Sequence, residues 1–310
     1  MTIAESIKVF RTIQQVRQWR LQCLLNGKSV GFVPTMGALH DGHCSLVNQS
    51  LKDNDNTVVS IFVNPSQFAP HEDLDSYPRT IDSDLNILAN KFKNYTKQVD
   101  AIFIPKISEM YPSGIELDIS KQRGAFVTVK GCSEQLEGVT RPQFFRGVAT
   151  VVTKLLNVVK PTNIYFGQKD AQQCIVIKNL VKDLLIDTNV KIMPTLRETN
   201  GLAMSSRNEY LSPQTRQEAS IIYKSLQTGK QYYESKNSVV SSKDILHEIH
   251  SILDSNPTFK TEYVSINHPE TLDEIENVEP GTGALITLAV VAPKQDGVGR
   301  ARLIDNIILH

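Results

Sequence analysis

Two histidines stand three residues apart in VPTMGALHDGH (33–43), directly after an apolar run. His40 and His43 admit three readings: a metal-binding pair, a loop that cradles phosphate, or a turn that contains histidine incidentally. On a helix this spacing puts both rings on one face. No third ligand of the usual kind lies nearby, however, and H-E-x-x-H is absent. The phosphate reading rests on the order strand, Gly-containing loop, helix start. Gly37 and Gly42 let a ligand approach the backbone, and a helix start directs N–H groups at an anion. The loop is neither a Walker P-loop nor G-x-G-x-x-G. Alone, it stays open between phosphate loop and solvated turn.

Two other segments carry complementary chemistry. FGQKD places Lys169, a point charge suited to a triphosphate, beside Asp170, which is suited to Mg²⁺ or to orienting a ligand. GLAMSSRNEYL places Ser205, Ser206 and Arg207 in a turn of small residues, where a guanidinium can fork onto phosphate. Each segment alone reads as a surface loop. Together on one sheet edge they would form a cationic rim.

The elements that must position these residues alternate. SVGFVP, TVVSIFVNP, VDAIFIP, NIYFG and VKIMPT read as strands, the second with the continuous β-branched pattern of a strand buried on both faces. Between them CSLVNQSLKD, IDSDLNILANKF, FRGVATVVTKLLNVVK and DAQQCIVIKNLVKDLLI read as helices. Residues 5–25 also show helical spacing, through Ile7, Phe10, Ile13, Val16, Leu21 and Leu24, with Gly27 as a stop. The expected fold class is α/β, a Rossmann-like parallel sheet wrapped by helices. Right-handed crossovers put all strand C-terminal ends on one edge, where ligands bind in such sheets. PTMGALHDGH, NPSQF, FGQKD and PTLRE all follow expected strands. After about residue 195 the pattern changes to helices near 214–234 and 242–254, then three strand-like runs, TEYVSINH, GALITLAVVAP and RARLIDNIIL. This predicts a smaller C-terminal α+β domain with a short antiparallel sheet. ESKNSVVSSKD between those helices reads as an exposed loop. The domains expected are 1–195, binding nucleotide and acid substrate, and 196–310, a lid carrying AMSSR.

Composition limits the partners. Thirty-three basic and thirty-three acidic side chains cancel in 310 residues, so no global field recruits nucleic acid or an anionic membrane. A small molecule is the expected partner. Four scattered cysteines with no C-x-x-C read as reduced thiols. The start lacks a secretory pattern and no apolar run is long enough to span a bilayer, so a cytoplasmic location is expected.

In combination these segments resemble a known family. PTMGALHDGH is similar to the HIGH-type signature of the nucleotidyltransferase superfamily, and AMSSR to its KMSKS-type partner loop. VPTMGALHDGH, SIFVNPSQF, DSYPRT, FGQKDAQQ and PTLRETNGLAMSSRNEYL together resemble the pantothenate synthetase (pantoate–β-alanine ligase) family, in order from Gly31 to Leu211. The resemblance implies ATP-dependent condensation of pantoate with β-alanine through a pantoyl-adenylate, with Mg²⁺ and a homodimer. It implies that Pro34, Thr35, Met36, Gly37, Ala38, Leu39, His40, Asp41, Gly42 and His43 hold ATP, with His43 nearest the chemistry. Gly167, Gln168, Lys169 and Asp170 would line adenosine and phosphates. Leu196 would contact adenine, and Met204, Ser205, Ser206 and Arg207 would close over the phosphates. Gln67 and Gln173 match pantoate-binding glutamines, with Gln67 also near β-alanine, Asn64 in the same loop as Gln67, and Arg141 in a region near the site. Ser83 stands where the family often has an acidic residue, leaving Asp84 as the metal candidate, and Phe144 stands where a histidine is common. The implied catalytic set is His40, His43, Lys169 and Arg207. The nearest rival is another nucleotidyltransferase, such as a cytidylyltransferase. A class I synthetase fits poorly with the short, neutral chain, and a non-catalytic nucleotide-binding protein would bind ATP without turnover.

Overall fold

The computed structural model describes residues 7–70, 72, 74, 75 and 77–310. The first two residues of the helix expected over 5–25, and Ser76 of DSYPRT, lie outside them. The chain divides into two compact units, residues 1–167 with 172–193, and residues 168–171 with 194–310.

The first unit is built on strands β1 (Lys8–Phe10), β2 (Val30–Thr35), β3 (Asn56–Ile61), β4 (Ala101–Phe103), β5 (Asn163–Gly167) and β6 (Asn189–Met193). They form one sheet in the order β1-β4-β3-β2-β5-β6, and every pairing is parallel. From β2 the chain goes to β3 on one side and reaches β5 on the other. The C-terminal end of β2 is therefore a topological switch point, where such sheets open a crevice. The helices are α1 (Ile13–Leu25), α2 (Asp41–Asp53), α3 (Ile81–Lys91), the single turns α4 (Ile107–Met110) and α5 (Glu137–Thr140), α6 (Phe144–Val159) and α7 (Ala171–Asp183).

Burial explains the arrangement. Val33, Val59 and Ile102 from three adjacent strands share a core with Leu46, Val47 and Leu51 of α2 and Leu88 of α3. Each such side chain contributes about 1.5–3 kcal/mol when fully buried. Helix α2 is further tied to the sheet by polar groups. Asn54 Nδ2 donates to Tyr165 Oη at 2.8 Å, and Asn163 Nδ2 to Asn54 Oδ1 at 2.7 Å. The four cysteines are buried and in no disulfide.

The long helix expected over 5–25 is corrected. Residues 8–10 are an edge strand paired with β4, and α1 starts at Ile13 behind a Thr12–Gln15 capping box. Ile7 and Phe10 fall on the helical period by coincidence. The cap and the vacant edge of β4 decide the outcome.

The second unit contains α8 (Pro213–Glu218), α9 (Ser220–Glu234), β7 (Val240–Ser241), α10 (Ser242–Leu253), β8 (Lys260–Asn267), β9 (Asn277–Val278), β10 (Ala284–Pro293) and β11 (Arg300–Leu309). Strands β11, β10 and β8 make the antiparallel sheet. Ile286, Leu288 and Val290, two apart on β10, pack with Ile222 and Leu226 of α9 and Ile245 and Ile249 of α10. The run expected as an exposed loop, 234–244, is exposed only in part. Val240 is buried and pairs with Val278. Among the described residues no helix is long and apolar enough to cross a membrane.

Candidate active site

The loop from β2 to α2 occupies the switch point. Thr35 Oγ1 donates to Ser60 O at 2.7 Å and accepts from Gly37 N at 3.2 Å, ending the strand. Gly37 and Ala38 then take consecutive positive φ values of 89° and 51°. That pair turns successive N–H groups toward one point, an arrangement suited to an anion. The anion is internal. Asp84, buried at the start of α3, accepts from Ala38 N at 3.1 Å and Leu39 N at 2.8 Å. Burial raises its pKa, and these two hydrogen bonds and one from Thr80 oppose the rise. Asp84 thus anchors the loop. Among the described residues no group of three or more His, Cys, Asp or Glu is placed to hold a metal ion.

The two histidines are anchored by the same kind of bond. His40 caps α2, its Nδ1 accepting from Gly42 N at 3.1 Å. His43 Nδ1 accepts from His40 N at 3.4 Å. The rings lie 4.1 Å apart, centroid to centroid. A ring nitrogen that accepts an N–H carries no proton, so in the neutral rings Nε2–H is the donor. The backbone N–H groups of Gly37, Ala38, Leu39, His40 and Gly42 are engaged within the protein. Asp41 is exposed and forms an ion pair with Lys91. Pro34 and Met36 are half-buried beside them.

After β3, a 3₁₀ turn at Pro65–Gln67 follows Asn64. Asn64 Nδ2 donates to Gln67 Oε1 at 2.9 Å and to Gly147 O at 3.2 Å. The two residues expected to share a loop are therefore hydrogen-bonded to each other. Arg141 is redirected. Its Nε and Nη2 each donate to Glu72 at 2.7 Å, Nη2 also reaches Gln67 O at 3.3 Å, and the guanidinium lies 4.0 Å over Phe144. It clamps the Gln67 turn. The two neighbouring glutamines of α7 separate. Gln172 is buried and spends its amide on Glu137 N, Cys132 O and Gln135 O. Gln173, half-buried, makes no side-chain hydrogen bond among the described residues. Gly167 ends β5.

In the second unit Asn306 holds the 168–170 turn. Its Nδ2 donates to Gln168 O at 2.9 Å and Lys169 O at 2.8 Å, while Gln168 Nε2 donates to Asn306 Oδ1 at 3.2 Å. Lys169 Nζ lies 3.6 Å from Asp170. Asp305, the preceding residue, is buried and accepts from Arg197 at 2.6 and 3.0 Å. Arg197 sits 3.5 Å over Tyr223. The stretch 196–204 folds back so that Met204 N donates to Leu196 O at 2.9 Å, uniting two of the expected contacts. Ser205 Oγ accepts from Arg207 N at 3.2 Å and opens the 3₁₀ turn Ser206–Tyr210. The Arg207 guanidinium has no hydrogen bond or ion pair among the described residues.

Sequence reasoning missed Glu72, Tyr111, Asp305 and Asn306. Tyr111 alone had a usable signal, since it follows β4 on the same sheet edge.

A parallel sheet with a histidine-capped loop at its switch point defines a Rossmann-like α/β protein with its ligand edge at β2. The chain belongs to the pantoate-beta-alanine ligase family, whose model matches residues 8–308. It is 46% identical to the pantoate-beta-alanine ligase of Saccharomyces cerevisiae, over 98% of this chain and 100% of that one. It is 45% identical to the pantothenate synthetase of Thermosipho melanesiensis, over 98% and 99%. Among solved structures, pantothenate synthetase from Thermus thermophilus superposes with a TM-score of 0.83 at 37% identity, over 97% and 99% of the two chains. The ligase from Francisella tularensis, complexed with beta-gamma ATP and beta-alanine, gives 0.73 at 34%, over 97% of each chain.

Proposed function

We propose that the chain joins (R)-pantoate to β-alanine at the expense of ATP, giving pantothenate, AMP and pyrophosphate. Family membership supports this reading, as does the relative bound to an ATP compound and β-alanine. The structural observation that carries it is the histidine pair at the switch point, with both Nδ1 atoms held by backbone N–H groups and Nε2–H as the ring donor.

The chemistry follows from the substrates. Pantoate's carboxylate is ionised at neutral pH, because such acids titrate near 4. It attacks the α-phosphorus of ATP without a general base, and the bond to the bridging oxygen breaks to release pyrophosphate. Catalysis here is positioning and charge neutralisation. His40 and His43 donate to phosphate oxygens, while Lys169 and Arg207 supply positive charge. Gln67 and Gln173 bind pantoate. In the second step the neutral amine of β-alanine attacks the acyl carbon, AMP leaves, and the amine proton passes to water or to the departing phosphate. Mg²⁺ would enter with ATP, with Asp84 as the candidate protein carboxylate to hold it. Such an ion commonly keeps its waters and binds through phosphates. The reading includes a homodimer working in the cytoplasm.

The test is pyrophosphate exchange into ATP. It is expected only with pantoate present; exchange driven by an amino acid instead, or turnover of CTP, overturns the reading. His43→Ala should slow single-turnover adenylate formation by about 10²–10³, as for loss of one transition-state donor, with a smaller change in ATP affinity.

A further inference from the structure

A glutamine that binds a substrate can present either end of its amide, oxygen or NH₂. For Gln67 one obligate acceptor decides which. The Gly147 carbonyl can only accept, and it faces Asn64 Nδ2 at 3.2 Å. The same Nδ2 lies 2.9 Å from Gln67 at what must then be its Oε1. Asn64 Oδ1, at the opposite end, accepts from Tyr111 Oη at 2.6 Å and lies 3.0 Å from Ser66 Oγ. Ser66 Oγ is also 2.7 Å from Tyr111 Oη, so it can donate there while Tyr111 donates to Asn64. Ser66 Oγ also lies 3.3 Å from Gly147 O and can donate there instead, so the direction that the acceptor-only oxygens fix runs from Tyr111 through Asn64 to Gln67. Gln67 Oε1 is occupied, and Nε2 has no partner among the described residues.

We propose that Tyr111 is a positioning residue, whose buried hydroxyl acts through Asn64 to hold Gln67 with its NH₂ end toward the ligand. Gln67 then selects an acceptor at that point, a carboxylate or hydroxyl oxygen, and disfavours an ammonium group. Tyr111 is suited to be a constant donor, because burial pushes its pKa up to about 12 and the hydroxyl stays protonated. Its ring is held between Phe62, at 6.4 Å, and Lys154 Nζ, at 3.8 Å, which itself donates to Met110 O.

The inference rests on the assignment of Gln67 to pantoate, and a double-mutant cycle tests the two apart. Tyr111→Phe keeps the ring and removes one hydroxyl. It should raise KM for pantoate about tenfold, the upper end of what one hydrogen bond contributes, and leave KM for ATP within about twofold. In a Gln67→Ala background the same change should have no further effect on kcat/KM for pantoate. A purely structural role would lower the melting temperature and act additively. Should Tyr111→Phe fold poorly, Ser66→Ala removes the hydroxyl paired with Tyr111 Oη without touching the ring, and should give a smaller shift with the same non-additivity. An unchanged pantoate KM in the folded variant, or additive effects, overturns the proposal while leaving the ligase reading intact. Absence of pantoate-dependent exchange in the wild type overturns both.

Discussion

Asp84 stabilises a backbone shape that few side chains could. Ala38 sits at φ 51°, and the Asp84 carboxylate receives the two N–H groups which that conformation turns inward. Asparagine has one oxygen to offer, so Asp84→Asn would set an NH₂ against one of those donors. Losing a hydrogen bond to a charged group costs about 1.5–3 kcal/mol. Urea denaturation should show that loss, and KM for ATP should rise with it. A second carboxylate makes a pH-dependent prediction. Asp55 accepts from Ser29 N at 2.9 Å and Ser29 Oγ at 2.8 Å, which hold its pKa down to about 2 from 3.8. A depressed carboxylate stabilises the folded state fully above its unfolded value and loses that effect as pH falls through its folded value. The difference in urea midpoint between wild type and Asp55→Asn should hold steady above about pH 4 and shrink toward pH 2. At this scale residue types were legible and partners were not. Histidine, lysine and arginine announce their chemistry, but Asp84 lies 46 residues from Ala38 and Glu72 lies 69 from Arg141. No local pattern links such pairs.

Elements behave differently, because a buried strand writes its environment into its composition. The β-branched run of β3 could be read directly, as could the alternation of β10, since their cores demand those residues. Strand β1 could not. Lys-Val-Phe is three residues long, and its conformation comes from pairing with β4, about 90 residues later. The two-residue strands β7 and β9 are set in the same way. Sequence also gives no hint that α6 must be bare at Gly147. A Cβ there would lie 2.3 Å from Ser66 O and 2.5 Å from Gln67 N and Cα. Gly147→Ala should push the Pro65–Gln67 turn off the helix, cost about 1–3 kcal/mol as overpacking does, and raise KM for pantoate more than KM for ATP. Thermal melts and steady-state kinetics on the same preparation measure both.

At the scale of the molecule, equal numbers of acidic and basic side chains leave no net charge at pH 7. Self-association is least opposed near that pH, so solubility in low salt should pass through a minimum near neutrality and recover on either side. Turbidity across a pH series measures it. The same balance predicts no salt-sensitive retention on immobilised nucleic acid. The hold of Asn306 on Lys169 spans 137 residues. On the ribosome, the last strand of the six-stranded sheet, β6, emerges long before Asn306 does. A nascent chain that has already gathered its first sheet still cannot fasten the turn carrying Lys169. Order of synthesis thus leaves the Lys169 carbonyl without its Asn306 donor until β11 is made.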